Sequence, residues 1–365
     1  MIYLDNGATS LHKPPQVIHA VRRAMELCAN PGRGGYGAAI EAARTVYRCR
    51  EKLAQMFDCE AEQVVFTANC THGLNIAIHT LVKPNAQVVV SGFEHNAVIR
   101  PLYALGAQIT VAGCRLFDCE EMLSSFEAAL KKRPSAAVFT HCSNVFGYIL
   151  PVEQMASLCR HYCVPFIIDA AQSAGCLPVS LRKLGAAFIA VPGHKGLLGP
   201  QGTGVLLCGQ MPQPLLYGGT GSESENTGMP DYLPERAEAG TLNVPGIAGL
   251  SAGISYLKHV GIDKVLAREQ REAKRCAQRL AQKGLQVFYG ENQSGTVSFC
   301  AKMDCEDLAQ ALAGHGIAVR AGMHCAPLAH KSAGTLQTGT VRVSFGHDAH
   351  AGQSGAFFQA LDAII

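Results

Sequence analysis

The fold of this chain is decided by the stretch Ala186-Ala187-Phe188-Ile189-Ala190-Val191-Pro192-Gly193-His194-Lys195-Gly196. Its first six residues are apolar, as in a strand that is covered on both faces of a sheet. A lone lysine follows, among glycines that let a bulky ligand approach the backbone. We therefore expect Lys195 at the end of a buried strand, where its amine is well placed to form an imine with a carbonyl group.

A second apolar stretch upstream ends in a carboxylate, in the run Ile167-Ile168-Asp169-Ala170-Ala171-Gln172. A lysine and a carboxylate at the ends of two such strands match the needs of pyridoxal 5′-phosphate (PLP). The lysine forms the Schiff base, and the aspartate pairs with the pyridinium nitrogen. The two stretches together predict a PLP-dependent enzyme.

Apolar runs of strand length recur along the chain, with helical periodicity between them. They are Val64–Thr67, Val88–Ser91, Gln108–Ala112, Ala136–Thr140, Pro165–Asp169, Ala186–Val191 and Gly204–Cys208. This alternation predicts an α/β fold with a mostly parallel seven-stranded sheet wrapped by helices. A glycine-rich loop, 30–37, separates the first two predicted helices.

The pattern breaks between Gly209 and Pro245, which we interpret as a long functional loop and a domain boundary. Beyond it the sequence predicts two helices and a smaller α/β unit. We expect a large PLP-binding domain over residues 14–245. Residues 1–13 and 246–365 are expected to form a small domain.

The composition excludes several classes of protein. The formal net charge of +3 is too small to indicate nucleic-acid binding. No apolar run is long enough to span a membrane. The fifteen cysteines form no Cys-x-x-Cys pair and follow no secretory signal. We therefore expect a reducing cytoplasm, mostly structural thiols and no metal site.

Several polar residues follow predicted strands, at the edge where open parallel sheets bind ligands. Thr71 and His72 lie at a strand-to-helix turn that could hold a phosphate, although Thr71 could equally be an ordinary helix cap. His95 could act in catalysis, by stacking on a pyridine ring and moving a proton near the imine, or it could be a surface histidine. Asn144 and Gln172 each offer an amide at the same edge.

Two residues near the C-terminus complete the candidate site. Cys325 lies in a glycine-containing loop beside His324 and near Arg320, and positive neighbours favour the reactive thiolate. Arg342 lies in a strand pattern, where a charge is uncommon. It could bind an α-carboxylate through two hydrogen bonds or form a structural ion pair.

Together these residues resemble the cysteine desulfurases of the class V aminotransferase family, which have the type I fold of PLP-dependent transferases. Beside the two strand ends, the matching segments are Tyr3–Ser10, Gly193–Lys195 with Gly199-Pro200, and Glu238–Asn243. The segment Arg320–Ala326 is similar to the short catalytic loop of the group-II branch, which includes selenocysteine lyase-like enzymes.

The resemblance implies a role for each candidate residue. Lys195 would bind PLP and move protons, and Cys325 would attack the substrate sulfur. Arg342 would bind the substrate carboxylate. Asn144 would lie beside both the substrate and the ring oxygen. The remaining cofactor contacts would come from Asp169 at the ring nitrogen, Gln172 at the ring oxygen, His95 on the ring face, Thr71, the amide of His72 and His194 at the phosphate, and Thr241 and Gly219 at the phosphate of a partner subunit.

Three positions depart from the family pattern. Pro192 stands where many relatives have a phosphate-binding serine, and His72 replaces a frequent glutamate. Met323 replaces the first of two histidines that commonly precede the cysteine. The first two changes affect contacts to the cofactor, and the third leaves the activation of Cys325 open.

The sequence thus predicts a cysteine desulfurase that converts L-cysteine to L-alanine and leaves a persulfide on Cys325 for a small acceptor protein. We expect a homodimer and, as one outlet for the sulfur, iron–sulfur cluster assembly. The alternatives are a selenocysteine lyase, an aminotransferase or β-lyase that does not use Cys325, and a non-catalytic PLP-binding assembly protein.

Overall fold

The computed structural model describes residues 1–32 and 34–365. Arg33, within the glycine-rich loop expected at 30–37, lies outside them. The strands are β1 Ile2–Tyr3, β2 Val64–Thr67, β3 Gln87–Ser91, β4 Gln108–Ala112, β5 Ala136–Thr140, β6 Phe166–Asp169, β7 Phe188–Pro192, β8 Gly204–Cys208, β9 Gln286–Phe288, β10 Thr296–Cys300, β11 Ile317–Ala318, β12 Arg320–Gly322 and β13 Thr340–Ser344. The helices are α1 Pro15–Leu27, α2 Gly37–Phe57, α3 Cys70–Leu81, α4 Asn96–Ala104, α5 Cys119–Leu130, α6 Val152–His161, α7 Leu181–Leu184, α8 Val244–Val260, α9 Ile262–Gln282, α10 Cys305–Gly314, α11 Pro327–Ala333 and α12 Ala351–Ile364.

The predicted seven-stranded sheet is confirmed. Its strand order is β2-β8-β7-β6-β5-β3-β4. Strands β3 to β7 pair in parallel, and β8 is antiparallel to both of its neighbours. Most of these strands are buried along their whole length, because helices cover both faces.

Alternate residues of each strand point into two separate cores. In β2, Val64 and Phe66 pack in a core with α2, α5, α6 and α8, whereas Val65 packs on the other face with α3 and α4. Strands β3, β5, β6 and β7 run in the same direction, so they end at one edge of the sheet. The segments that follow β3, β5 and β7 carry His95, Asn144 and Lys195, and Asp169 is the last residue of β6.

A second sheet, β12-β13-β10-β9, is antiparallel and packs against α9, α10 and α12 around a third core. The short pair β1 and β11 joins the beginning of the chain to this part. This pairing supports our proposal that residues 1–13 belong with the C-terminal segment. Helix α8, however, packs into the core of the large sheet, so the boundary at 245/246 stays a prediction.

The long segment that starts at Gly209 has no helix or strand apart from one short 3₁₀ turn at Glu235–Ala237 before α8 begins. Strand β9 and helices α10 to α12 were not predicted. None of the helices in the described part of the chain is both long and apolar enough to cross a membrane.

A buried ion pair anchors the end of the long segment to the large sheet. Both guanidinium NH₂ groups of Arg50 donate to Glu238, each at 2.9 Å. The amide of Phe66 also donates to this carboxylate, at 2.5 Å, and the Arg50 guanidinium lies over the Phe66 ring. Burial raises the pKa of Glu238, and Arg50 opposes that shift. The pair therefore fixes the position of the residues that follow Glu238, including Thr241.

Removing the negative charge of this pair is expected to destabilise the protein. Glu238→Gln leaves the Arg50 guanidinium buried without a counter-charge, which costs about 3 kcal/mol of unfolding free energy. Urea denaturation followed by circular dichroism measures the change. Glu153→Gln, which breaks the exposed pair with Lys183, is the matched control and should leave the midpoint nearly unchanged. Equal midpoints for the two variants would contradict the anchoring role.

Candidate active site

Lys195 follows β7 in a tightly constrained turn. The amide of Gly193 donates to the carbonyl of Thr203 at 2.8 Å, and its carbonyl accepts a hydrogen bond from the amide of Gly199 at 2.7 Å. A side chain at Gly193 would collide with Thr203, since a Cβ there would lie 2.1 Å from its hydroxyl. Removal from water lowers the pKa of Lys195, and the nearby charge of Asp169 partly opposes that shift. The turn therefore presents an amine with an increased neutral, nucleophilic fraction.

Asp169 ends β6 and is only 2% exposed. Its Oδ1 accepts hydrogen bonds from the amide of Ala171 at 2.9 Å and from the thiol of Cys70 at 3.5 Å. Within the described residues, no hydrogen bond reaches its Oδ2. A buried carboxylate with one oxygen unpaired has room for one more donor, such as a protonated ring nitrogen.

His95 caps α4 through its ring, because its Nδ1 accepts a hydrogen bond from the amide of Ala97 at 3.0 Å. This contact leaves the proton of the neutral ring on Nε2. Burial lowers the pKa of His95, while the charge of Asp169 raises it and that of Lys195 lowers it. The three side chains are thus close enough to act on one another, as a shared site requires.

The turn before α3 is capped by Asn69 rather than by Thr71. The Asn69 side chain accepts a hydrogen bond from the amide of His72 at 2.9 Å, so the interpretation of Thr71 as the helix cap was wrong. The amides of Cys70 and Thr71 have no partner in the described part of the chain. Two free amides at a helix N-terminus form a suitable site for an anion.

His194 and Gln172 lie against the N-terminal segment. The ring of His194 hydrogen-bonds the hydroxyl of Thr9 at 3.0 Å, and burial lowers the pKa of His194 to about 4. His194 is therefore neutral near pH 7 and can offer a phosphate only a hydrogen bond. The Gln172 side chain donates to the carbonyl of Gly7 at 2.9 Å and lines the same cavity as Lys195.

Arg342 lies in the middle of β13 and is 2% exposed. It donates to the backbone carbonyl of Asn144 at 2.9 Å and to the carboxylate of Asp5 at 2.6 Å. The structural ion pair that the sequence left open is therefore present. A guanidinium has five N–H donors, so Arg342 still has donors for a substrate carboxylate.

Cys325 is exposed, in a loop whose backbone is held at two points. The side-chain amide of Asn144 donates to the carbonyl of His324 at 2.7 Å, and the amide of Asn96 donates to that of Cys325, also at 2.7 Å. His324 and Cys325 both have left-handed backbone conformations, with φ of 48° and 56°. Such values are costly for residues other than glycine, so these contacts hold the thiol in a fixed place.

The expected assistance of Cys325 by His324 is wrong. His324 is buried against Thr340, and burial lowers its pKa to about 3. It is therefore neutral at physiological pH and supplies no positive charge. Arg320, the other positive residue near Cys325, is hydrogen-bonded to the carboxylate of Asp5, which raises the pKa of Arg320 and keeps it charged.

Two predicted residues lie away from Lys195. Thr241 and Gly219 are exposed, and the amide of Gly240 donates to the carbonyl of Gly219 at 2.8 Å. Both line a surface cavity of about 960 Å³ that contains no other predicted site residue. Within one chain, Thr241 and Gly219 therefore lie close to each other and line a different cavity from Lys195.

The sequence reasoning missed three residues of the site. Asp5 binds Arg342, and Cys70 donates to Asp169. The carboxyl group of Glu94 is fully buried beside His95, and burial raises its pKa to about 8. Asp5 lies in the matching segment Tyr3–Ser10, Cys70 precedes Thr71, and Glu94 precedes His95. A position in or beside a candidate segment was the signal that the sequence offered for these three residues.

The groups present fit PLP. They comprise an amine with a lowered pKa, a buried carboxylate with a free oxygen, an imidazole near both, and free amides at a helix N-terminus. Each matches one functional group of the cofactor: the aldehyde, the ring nitrogen, the ring face and the phosphate. Pro192 offers no hydroxyl to the phosphate, so backbone amides carry more of that contact.

Comparison with known proteins agrees with this geometry. The chain matches the family model for aminotransferase class-V over residues 2–353. It is 33% identical to a probable cysteine desulfurase of Methanothermobacter thermautotrophicus, over 94% of this chain and 89% of the relative. A probable cysteine desulfurase of Pyrococcus abyssi gives the same three values.

Two solved structures extend the agreement to the fold. The apo structure of a cysteine desulfurase from Thermococcus onnurineus has a TM-score of 0.91 and 30% identity, covering 100% of this chain and 94% of that one. A cysteine desulfurase of Escherichia coli, solved with an S-sulfonic acid, has a TM-score of 0.85 and 26% identity, covering 99% and 94%. This chain belongs to the aminotransferase class-V family.

Proposed function

We propose that this chain is a PLP-dependent cysteine desulfurase, which converts L-cysteine to L-alanine and leaves the sulfur as a persulfide on Cys325. Enzymes of this family depend on PLP. The observation that carries the proposal is the placement of Cys325. Its loop is hydrogen-bonded to Asn144, which contacts the carboxylate-binding Arg342, and to Asn96, which follows His95.

When bound, PLP supplies an electron sink that makes the Cα proton of the substrate acidic. Lys195 would hold the cofactor, and its amine, when free, would take the Cα proton of the substrate. The lowered pKa of Lys195 suits this role, since a base must be unprotonated to accept a proton. Asp169 would keep the ring nitrogen protonated, and Arg342 would bind the substrate carboxylate.

The group that accepts the sulfur is the thiol of Cys325. The Cys325 thiolate attacks the substrate sulfur, so that an S–S bond forms and the Cβ–S bond breaks. The electron pair of the broken bond stays with Cβ, which takes up a proton to give alanine. Overall, one thiol and one cysteine become one persulfide and one alanine, and no external oxidant is needed.

Exposure of Cys325 also supports delivery of the sulfur to a small acceptor protein. Of the fifteen cysteines, all unpaired in the structure, only Cys163 and Cys325 are exposed. A persulfide at Cys325 can thus be reached by a second thiol without opening the fold. The unpaired thiols support a reducing compartment, as expected for the cytoplasm.

A homodimer is supported by the exposed apolar side chains of α1 and α2. Ile18 is 61% exposed, Met25 71% and Tyr47 54%. Tyr47 also lines the cavity that contains Thr241 and Gly219. In the proposed dimer this face meets the partner, and Thr241 and Gly219 reach the phosphate of the partner's cofactor.

The role of Cys325 is tested by Cys325→Ser. We expect the variant to retain the visible absorbance of bound PLP but to form no alanine from L-cysteine, because no thiolate can attack the sulfur. Cys163→Ser, which changes the other exposed cysteine, should keep wild-type turnover. L-Selenocysteine is assayed in parallel. Turnover of selenocysteine alone, surviving in Cys325→Ser, would favour a selenocysteine lyase instead.

The role of Lys195 is tested by absorbance. Lys195→Ala should show no band of a lysine-bound cofactor after incubation with PLP and dialysis, since the imine cannot form. Lys183→Ala, at an exposed lysine, should keep the band. Retention of the band in Lys195→Ala would refute the assignment.

Contribution of Thr241 across the subunit boundary is tested with mixed dimers. Thr241→Ala should weaken PLP binding at both sites of its homodimer. In a mixed dimer with Lys195→Ala, the one site that keeps Lys195 receives Thr241 from the other subunit. That site should bind PLP with wild-type affinity in a fluorescence titration. Weak binding in the mixed dimer would place Thr241 at its own subunit's site.

A further inference from the structure

The carboxylate of Asp5 lies between two arginines and is 7% exposed. Its Oδ1 accepts from the Nη2 of Arg342 at 2.6 Å. Its Oδ2 accepts from the Nη2 and Nε of Arg320, at 2.8 and 3.0 Å. The carboxylate of Asp5 therefore binds both Arg342, which belongs to the substrate site, and Arg320, which begins the segment that leads to Cys325.

The strand pairing makes this bridge necessary. Arg320 in β12 lies directly opposite Arg342 in β13. Two positive charges at paired positions repel each other, more strongly where one of them is buried. Asp5 offsets the repulsion. It is itself held by the main chain, since it forms a bridge with Ser344 of the same strand β13.

The bridge is also connected to the segment that carries the thiol. Strand β12 ends at Gly322, three residues before Cys325. Arg342 is linked to the loop a second time, through Asn144. Arg342 donates to the backbone carbonyl of Asn144, and the Asn144 side chain donates to the carbonyl of His324. Arg342 is therefore connected to the Cys325 loop in two ways. One connection runs through Asp5 and Arg320 to the strand before the loop, and the other runs through Asn144 to His324.

Two guanidinium groups share one carboxylate in this cluster, so one positive charge remains uncompensated. A substrate carboxylate can neutralise it through the free donors of Arg342 while Asp5 keeps its own contacts. Asp5 thus has no need to leave when substrate binds, and it can hold both arginines throughout the reaction.

We propose that Asp5 is a positioning residue for sulfur transfer: it orients Arg342 toward the substrate carboxylate and, through Arg320, holds the Cys325 thiol at a set distance from the substrate sulfur. The proposal deepens the proposed function and rests on it. It assigns the aspartate of the N-terminal segment to the thiol step, not to cofactor binding.

The test uses Asp5→Asn in the PLP-loaded enzyme. The amide keeps the shape but loses the charge, so Arg320 and its loop are released. We expect PLP absorbance to be unchanged, and KM for L-cysteine to rise about tenfold through loss of charge-assisted hydrogen bonds. We also expect kcat to fall more with L-cysteine than with L-selenocysteine, whose better leaving group depends less on the thiol.

A second readout follows the loop without turnover. Iodoacetamide labelling, read by peptide mass spectrometry, compares Cys325 with Cys163 in the same molecules. In Asp5→Asn, labelling of Cys325 should become several-fold faster while that of Cys163 stays constant. Asp362→Asn, which removes a carboxylate from a surface pair with Lys283, should change neither rate.

Unchanged labelling of Cys325, together with equal losses of kcat on both substrates, would overturn the proposal and leave Asp5 a purely structural role. If Asp5→Asn does not fold, Arg320→Gln decides, since its side chain is half-exposed. It should reproduce the faster labelling with little change in KM, and wild-type labelling would overturn the proposal. Failure of the wild-type enzyme to use L-cysteine would instead contradict the proposed function, which the labelling comparison does not test.

Discussion

The attraction between Lys195 and Asp169 across the ends of adjacent strands is the interaction on which the site depends. Strands β6 and β7 pair in parallel, with Asp169 beside Ala190, so the two charges leave the sheet at the same edge. Burial disfavours the ionised form of Lys195, and the charge of Asp169 partly opposes that effect. The polar edge is possible because two apolar cores support it from either face.

The second sheet supplies the two site residues that do not come from the large sheet. It contributes Arg342 from β13 and, after β12, the Cys325 loop. Asn144 and Asn96, which belong to the large sheet's edge, hold that loop by two hydrogen bonds. The amine for proton transfer and the thiol for sulfur transfer therefore come from different parts of the chain, and a few polar contacts set the distance between them.

The sequence was sufficient to predict the large sheet, because most of its strands are apolar almost throughout. It also indicated Lys195, Asp169 and Cys325, since each is a reactive residue next to such a run or in a glycine-containing loop. It could not show that Asn69 caps α3 or that His324 is buried and neutral, because both depend on contacts with residues distant in space or on the exact turn. The hydrogen bond between Asp5 and Arg342 joins residues 337 positions apart, so no local sequence pattern indicates it.

The central claim is that the substrate sulfur moves to Cys325. The most direct measurement is mass spectrometry of the Cys325 peptide after the PLP-loaded enzyme is incubated with L-cysteine without reductant and then alkylated. A gain of one sulfur atom on that peptide, absent from the Cys163 peptide and from enzyme without PLP, is the predicted result. Alanine formation with no sulfur on Cys325 would contradict the account.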